Sequence, residues 1–357
     1  MNRNHVIKIS CILLLPLTAL INKLSHENPD LTEKIYSKGV FRTVSLVFSN
    51  IFGILKFSVI EIYIFLLLLI MITALLKIIA SEKNKAGKNK FPGLVGLVLT
   101  AAAAVSVIYF LFIFSWGLSY NRHDAFRIFG FERREITLQR LTDTGLEFRD
   151  RLNELSGLVS DDDFSIDNVI GRGNIGYYAL QDNYPELGGN YPGVKPVKAS
   201  IILSYLNIWG FYSPFSYEAN INTMIPGVML PSTIAHELAH IRGFAREDEA
   251  NFIAYLTCIN HSDPAYIYSG YLLAFMNISG AIAQTDRDAY DTLIQSLDQK
   301  VIGHMREIRD FNLKYRGILD RISTRINDLF LKTNRQADGI LSYGRMTDLI
   351  IASRGES

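Results

Sequence analysis

Apolar residues crowd into three stretches of the first 120 positions, and after them the chain changes to helical and alternating patterns with ordinary charge density. Residues 91–120 contain no Asp, Glu, Lys or Arg, which at about 1.5 Å per residue is long enough to cross a bilayer core even with tilt. Ile62–Leu76 (IYIFLLLLIMITALL) reaches spanning length if Glu61 and Lys77 sit at the two interfaces. Ile9–Ile21 is shorter and follows Arg3 and Lys8. No small-x-small cleavage site follows it, so it reads as a signal anchor rather than a cleaved peptide. Three membrane helices are therefore expected at about 6–22, 58–80 and 93–118, making residues 1–120 a membrane domain.

Lysine and arginine in short connections set the orientation. Lys83, Lys85, Lys88 and Lys90 are packed into one short loop, whereas Lys23, Lys34, Lys38 and Arg42 are spread over a longer stretch with Glu27, Asp30 and Glu33 among them. The dense loop is expected on the cytoplasmic side, together with Arg3 and Lys8. Three crossings then place residues 121–357 outside. Arg122, Arg127, Arg133 and Arg134 weigh against this order, but a long folded domain translocates despite such charges. The expected location is a bacterial cytoplasmic membrane, as a multi-pass protein with an extracytoplasmic domain.

In the second part, Ile136, Leu141, Phe148, Leu152 and Leu155 share one helical face within 131–158, as an amphipathic packing helix does. Asp161, Asp162 and Asp163 read as a solvated turn, because the further oxygen ligands and closing Glu of a calcium loop do not follow. GRGNIG at 171–176 matches a dinucleotide fingerprint but leads into turn formers rather than a helix, so a nucleotide role is not expected. Lys198–Tyr205 and Tyr217–Thr223 look like short strands around the turn-prone IWGFYSPF. Beyond 252 the pattern is helical, with a long periodic segment at about 290–331. Residues 266–283 are apolar, but their Gly, Ser and Asn content points to a buried or surface helix rather than a fourth span. The fold expected is mainly α with a small β component.

Composition narrows the chemistry. The 36 basic and 35 acidic residues nearly balance, which gives no reason to expect nucleic acid as a partner. The two cysteines, Cys11 and Cys258, provide neither a disulfide framework nor a thiolate metal cluster. Any metal must be held by histidine and carboxylate.

IAHELAHIRGFAREDEANF, residues 234–252, offers such a set. Ser232 or Thr233 can cap a helix starting just after Pro231, and Gly243 is a plausible stop. His236 and His240 then lie at i and i+4, aimed from one face at a common point, as zinc requires. Glu237 lies about 100° around the helix, beside the metal position rather than on it, where a zinc-bound water needs a base. The third ligand should come from Glu247, Asp248 or Glu249. Glu247 shares a face with Ala250, Asn251 and Ala254, and the small alanines permit close approach, so Glu247 is the expected ligand with Glu249 as the alternative. Asn251 would hydrogen-bond a ligand from behind.

These positions resemble the gluzincin pattern, in which HExxH is followed by E-x-x-A-(D/N)-x-x-A, as in membrane-bound zinc endopeptidases of the Ste24 and HtpX type. The gap from His240 to Glu247 is shorter than in those families and nearer the metzincin spacing, but that pattern needs histidine at 246, where this chain has Arg246. The run from GFYSPFSYEANIN to FAREDEANF, with the three N-terminal spans, is also similar to a bacterial membrane-protein family of unknown function that carries HExxH. The resemblance implies an α+β zincin-like metallopeptidase domain over 121–357, Zn2+ as cofactor, and a peptide or protein substrate of unknown identity, with the lipid bilayer as the other partner.

The expected activity is peptide hydrolysis by a zinc-activated water, with Glu237 as general base. Tyr212, Tyr217 and Arg242 are candidate oxyanion donors, and Tyr217–Thr223 a candidate edge strand for an extended peptide. Two rivals remain. An intramembrane protease would enlist a distant Asp338, but charged Arg242, Arg246, Glu247, Asp248 and Glu249 do not belong in hydrocarbon. A non-catalytic membrane sensor or scaffold would keep a structural or vestigial zinc site and would have no need of Glu237.

Overall fold

The computed structural model describes residues 3–83, 91–334 and 345–355. The lysine-rich loop from 84 to 90 and Asp338 lie outside the described residues. The chain is mostly helical with one small sheet. Helix α1 runs Arg3–Glu27, α2 Arg42–Gly53, α3 Val59–Lys83 and α4 Phe91–Ser115, with a π-helical segment at Thr32–Phe41 before α2. Among the described residues, two helices are long and apolar enough to cross a membrane, over Val6–Glu27 and Val98–Ser115, while the apolar part of α3 is the shorter Val59–Ala74.

The three long helices meet the rest of the chain at one end. Helices α1 and α4 pack side by side, and Asn121 just past α4 donates to Asn22 Oδ1 at 2.8 Å. The first backbone N–H of α3, on Val59, donates to the Glu218 carboxylate at 3.1 Å, and Lys195 pairs with the same carboxylate. A buried acid thus both neutralises a lysine and satisfies an orphan donor at a helix N-terminus.

Residues 28–58 were grouped by composition with the membrane part, yet they pack on the second part of the chain. Ser45 of α2 donates to the Ile241 carbonyl at 2.6 Å, and Arg122 forms a buried pair with Glu33 at 2.7 Å. The pattern had disguised this because α2 turns its serines inward and leaves Val47, Phe48 and Ile51 exposed.

The second part builds its core around α5 (Leu138–Ser156). Strand β1 follows at Lys195–Val197, α6 at Ser200–Tyr205, β2 at Gly210–Ser213 and β3 at Glu218–Asn222. The helices α7 (Leu230–Ile241), α8 (Glu247–Ile259), α9 (Pro264–Thr285), α10 (Arg287–Gln295), α11 (Gln299–Tyr315), α12 (Ile318–Thr333) and α13 (Met346–Ser353) complete it. Leu141, Phe148, Leu152 and Leu155 of α5 are buried as their spacing requires, and the helix packs along α9. Tyr268, Leu272, Phe275 and Ile278 make α9 a core helix. The periodic segment 290–331 is divided among α10, α11 and α12.

Two strand expectations are corrected. Ser200–Tyr205 is helix α6, and Glu61 at the start of α3 accepts from the backbone N–H of Lys198 and Ala199 just before it. The sheet order is β1-β3-β2, with β1 parallel and β2 antiparallel to β3. Strand β3, expected at the edge, is therefore central, and β2 is an edge. All five β3 residues are buried, with Asn222 donating to Ser204 and to the Ile208 carbonyl. Its polar residues are internal partners.

The GRGNIG segment serves packing. A Cβ on Gly173 would come within 2.5 Å of Ile234 on α7, and one on Gly176 within 2.1 Å of the Thr257 carbonyl on α8. These glycines let the segment lie against the two helices that carry the histidines and the acids.

Candidate metal centre

Helix α7 starts at Leu230, with Pro231 inside its first turn, where a missing N–H costs nothing. Ser232 and Thr233, expected as caps, instead donate back to the Met229 carbonyl. The helix stops at Gly243, whose φ of 89° is readily adopted only by glycine. The turn that follows is short, so α8 folds back directly on α7.

This return brings Glu247 to the histidine pair. Its Oε2 lies 3.1 Å from His236 Nε2 and 3.7 Å from His240 Nε2, and ligand atoms of the three residues all lie within 4.8 Å of one another. Each imidazole is held from behind. His236 Nδ1–H donates to Asn251 Oδ1 at 2.8 Å, and His240 Nδ1–H donates to the Phe244 carbonyl at 2.7 Å. With those protons placed, both Nε2 atoms turn lone pairs toward Glu247. Three lone-pair donors at one point repel unless a proton or a cation lies among them.

The electrostatics follow from that repulsion. Burial opposes charge on His240, but the facing Glu247 overcomes it and raises its pKa to about 9. Burial also works against Glu247, and the two imidazoles nevertheless hold it well below the usual carboxylate range. Either protonated histidine or a divalent cation satisfies this acid. Two imidazole nitrogens and one carboxylate match the ligand types of a catalytic zinc site with an open fourth position, so the residues fit that ion.

Glu249 is elsewhere. One carboxylate oxygen accepts from the Ala125 backbone N–H at 2.9 Å and from Arg246 at 2.7 Å. It fixes the chain after α4, and Glu247 alone of the two approaches the histidines.

Glu237 is almost completely buried beside the cluster, and its Oε2 has no hydrogen-bond partner among the described residues. Burial pushes its pKa up to about 7, against the pull of His236 and His240. Such a carboxylate is poised to exchange a proton near neutrality. The side chains of His236 and Glu247 remain 13% and 16% exposed, so the cluster reaches the surface.

The expected oxyanion donors fare unequally. Arg242 is withdrawn: its guanidinium is stacked on Tyr177 and Tyr191 and donates to the Leu187 and Leu238 carbonyls and to Asn174. Tyr217 packs its ring on Phe41 and Phe48. Tyr212 packs on Trp116 with its hydroxyl buried and without a hydrogen-bond partner among the described residues. Sequence reasoning passed over two aromatics at the end of α4. Trp116 meets the His240 ring edge-on at 5.6 Å. The buried Tyr120 hydroxyl has its pKa raised by desolvation and then by the Glu247 charge. Aromatic residues at the end of an apolar span were the available signal.

The chain belongs to the family of proteins of unknown function designated DUF3810, whose model matches residues 36–351 and so includes the whole cluster. Comparison with curated proteins and with solved structures returned no match.

Proposed function

We propose that this protein is a membrane-anchored zinc metallopeptidase with a zincin-like domain on the outer side of a bacterial cytoplasmic membrane. His236, His240 and Glu247 would hold the ion. When bound, zinc supplies Lewis acidity that makes a water nucleophilic near neutral pH and polarises a peptide carbonyl. Glu237 takes the proton of the attacking water at Oε2 and returns it to the leaving amine. Burial serves both halves of that transfer, because a pKa of about 7 lets the group accept and release a proton at similar cost. Strand β2, the edge beside α7, offers the main chain along which an extended substrate would pair.

The observation that carries the reading is the buried, unpartnered Glu237 oxygen next to three converging ligands. A scaffold with a structural metal has no use for an acid held at that cost. The test is metal content and peptide hydrolysis by the purified full chain, wild type against Glu237→Gln and Glu247→Gln. One zinc per chain in wild type and in Glu237→Gln, with turnover lost only in the variant, supports it. Wild type that takes up no zinc refutes it.

A further inference from the structure

Helix α12 is turned inside out relative to an ordinary surface helix. Ile318, Leu319, Ile322, Ile326 and Leu329 occupy one arc of roughly 100° at about 100° per residue, and all are exposed, Ile326 at 64% and Leu329 at 67%. The opposite side, with Thr324, Asn327 and Asp328, is the half-buried one. Arg321, Arg325 and Lys332 form an exposed row along one margin of the apolar arc, at i, i+4 and i+11.

The apolar arc is continuous with the long apolar helices. Its far end, Phe330, packs against Phe112 of α4 at 5.9 Å and Tyr120 at 6.2 Å. Phe112 lies three residues inside the end of α4, or about 4.5 Å along its axis. That is close to the shallow limit of the depth, about 5–10 Å, at which amphipathic helices rest in the headgroup and acyl boundary. Its near end follows α11, where Tyr315 meets Tyr205 of α6 at 5.1 Å. Helix α6 also exposes Ile201 and Ile202, and Glu61 of α3 holds the backbone just before it. The exposed apolar surface therefore runs from the start of α3 to the end of α4. Helix α2 repeats the inversion, with serines inward and Val47, Phe48 and Ile51 outward.

We propose that α12 lies flat in the lipid monolayer, its isoleucines among acyl chains and its basic row at anionic headgroup phosphates, so that the domain is seated on the membrane. The occupant is lipid because the arc joins the surface of α4 and carries a basic margin, as interfacial helices do. The inference goes beyond the peptidase reading and is independent of it, resting on the membrane helices rather than on metal or turnover.

The test places an environment-sensitive fluorophore on single cysteines at Ile322, Ile326 and, as solvent control, the exposed Asp310. The full chain carries Cys11→Ser, the buried Cys258 being left in place, and is reconstituted in vesicles of phosphatidylcholine and phosphatidylglycerol. The expected result is blue-shifted emission at Ile322 and Ile326, quenching by lipid-borne nitroxide, and shielding from aqueous iodide, with the reverse at Asp310. Iodide quenching equal to that at Asp310 overturns the proposal. Shielding from iodide without lipid quenching also overturns it, because a protein surface then covers the helix.

Discussion

Gly210 of β2 lies against the carboxylate of Glu237. A Cβ at this position would stand 2.6 Å from Oε1 and 2.7 Å from Cγ, closer than real contacts allow. The edge strand is thereby pressed onto the proposed base. The expectation is that Gly210→Ala costs about 1–3 kcal/mol of stability, as overpacking does, and lowers kcat more than KM by displacing Glu237. Thermal denaturation and steady-state kinetics check it. Unchanged turnover would mean that the position of Glu237 has no bearing on the chemistry.

Asn251 holds the His236 ring from behind. On the zinc reading, Asn251→Ala leaves His236 free to rotate and weakens metal binding by about 10–100-fold. Competition against a chromogenic chelator measures this. Affinity equal to wild type would show that the ring is oriented by something other than this bond.

Glu249 and Glu247 are separable by experiment. Glu249 accepts from Ala125 and Arg246 in a buried setting, so Glu249→Gln is expected to destabilise the fold by about 2–4 kcal/mol, leaving Arg246 unbalanced. Zinc stoichiometry should stay at one per chain. Glu247→Gln should do the opposite, removing tight zinc binding at modest cost to folding. Loss of zinc from a folded Glu249→Gln variant would exchange the two roles.

Much of the site was legible because helical phase is a local property. Spacing alone put His236 and His240 on one face and gave Glu247 a small-residue face for close approach. What escaped depends on long-range contact. Residues 42–53 were grouped with the membrane domain and β3 was expected at an edge, because Ser45 finds Ile241 and Asn222 finds Ser204 only after folding. Helix α6 read as a strand because its isoleucines and tyrosine favour one, while the Glu61 carboxylate that holds the backbone just before it comes from 138 residues away. Arg242 looked catalytic because sequence proximity to His240 does not show which way a side chain turns. The glycine spacing of GRGNIG had a physical cause, but the cause was helix packing.

The pH dependence of the metal-free protein should report the cluster directly. Glu237 has a folded-state pKa of about 7 against an ordinary 4.5, so folding favours its protonated form. That contribution is complete below about 4.5 and is lost as pH rises through 7, about 3 kcal/mol at most. His240, at about 9 against 6.5, contributes fully below 6.5 and loses its share, of similar size, as pH rises through 9. Glu247 is depressed, so its contribution stays intact above 4.5 and is lost only on acidification. Denaturant unfolding of metal-free protein should therefore show stability falling in two steps between about pH 4.5 and 9. Burial and the neighbouring Glu249 push Asp248 up to about 7 as well, so Glu237→Gln should shrink the lower step rather than erase it, and saturating zinc should erase the upper one, because a metal-held imidazole has no proton left to lose. A profile that is flat across this window would mean that neither burial nor Glu247 shifts these groups, and with them would go the case for a poised base.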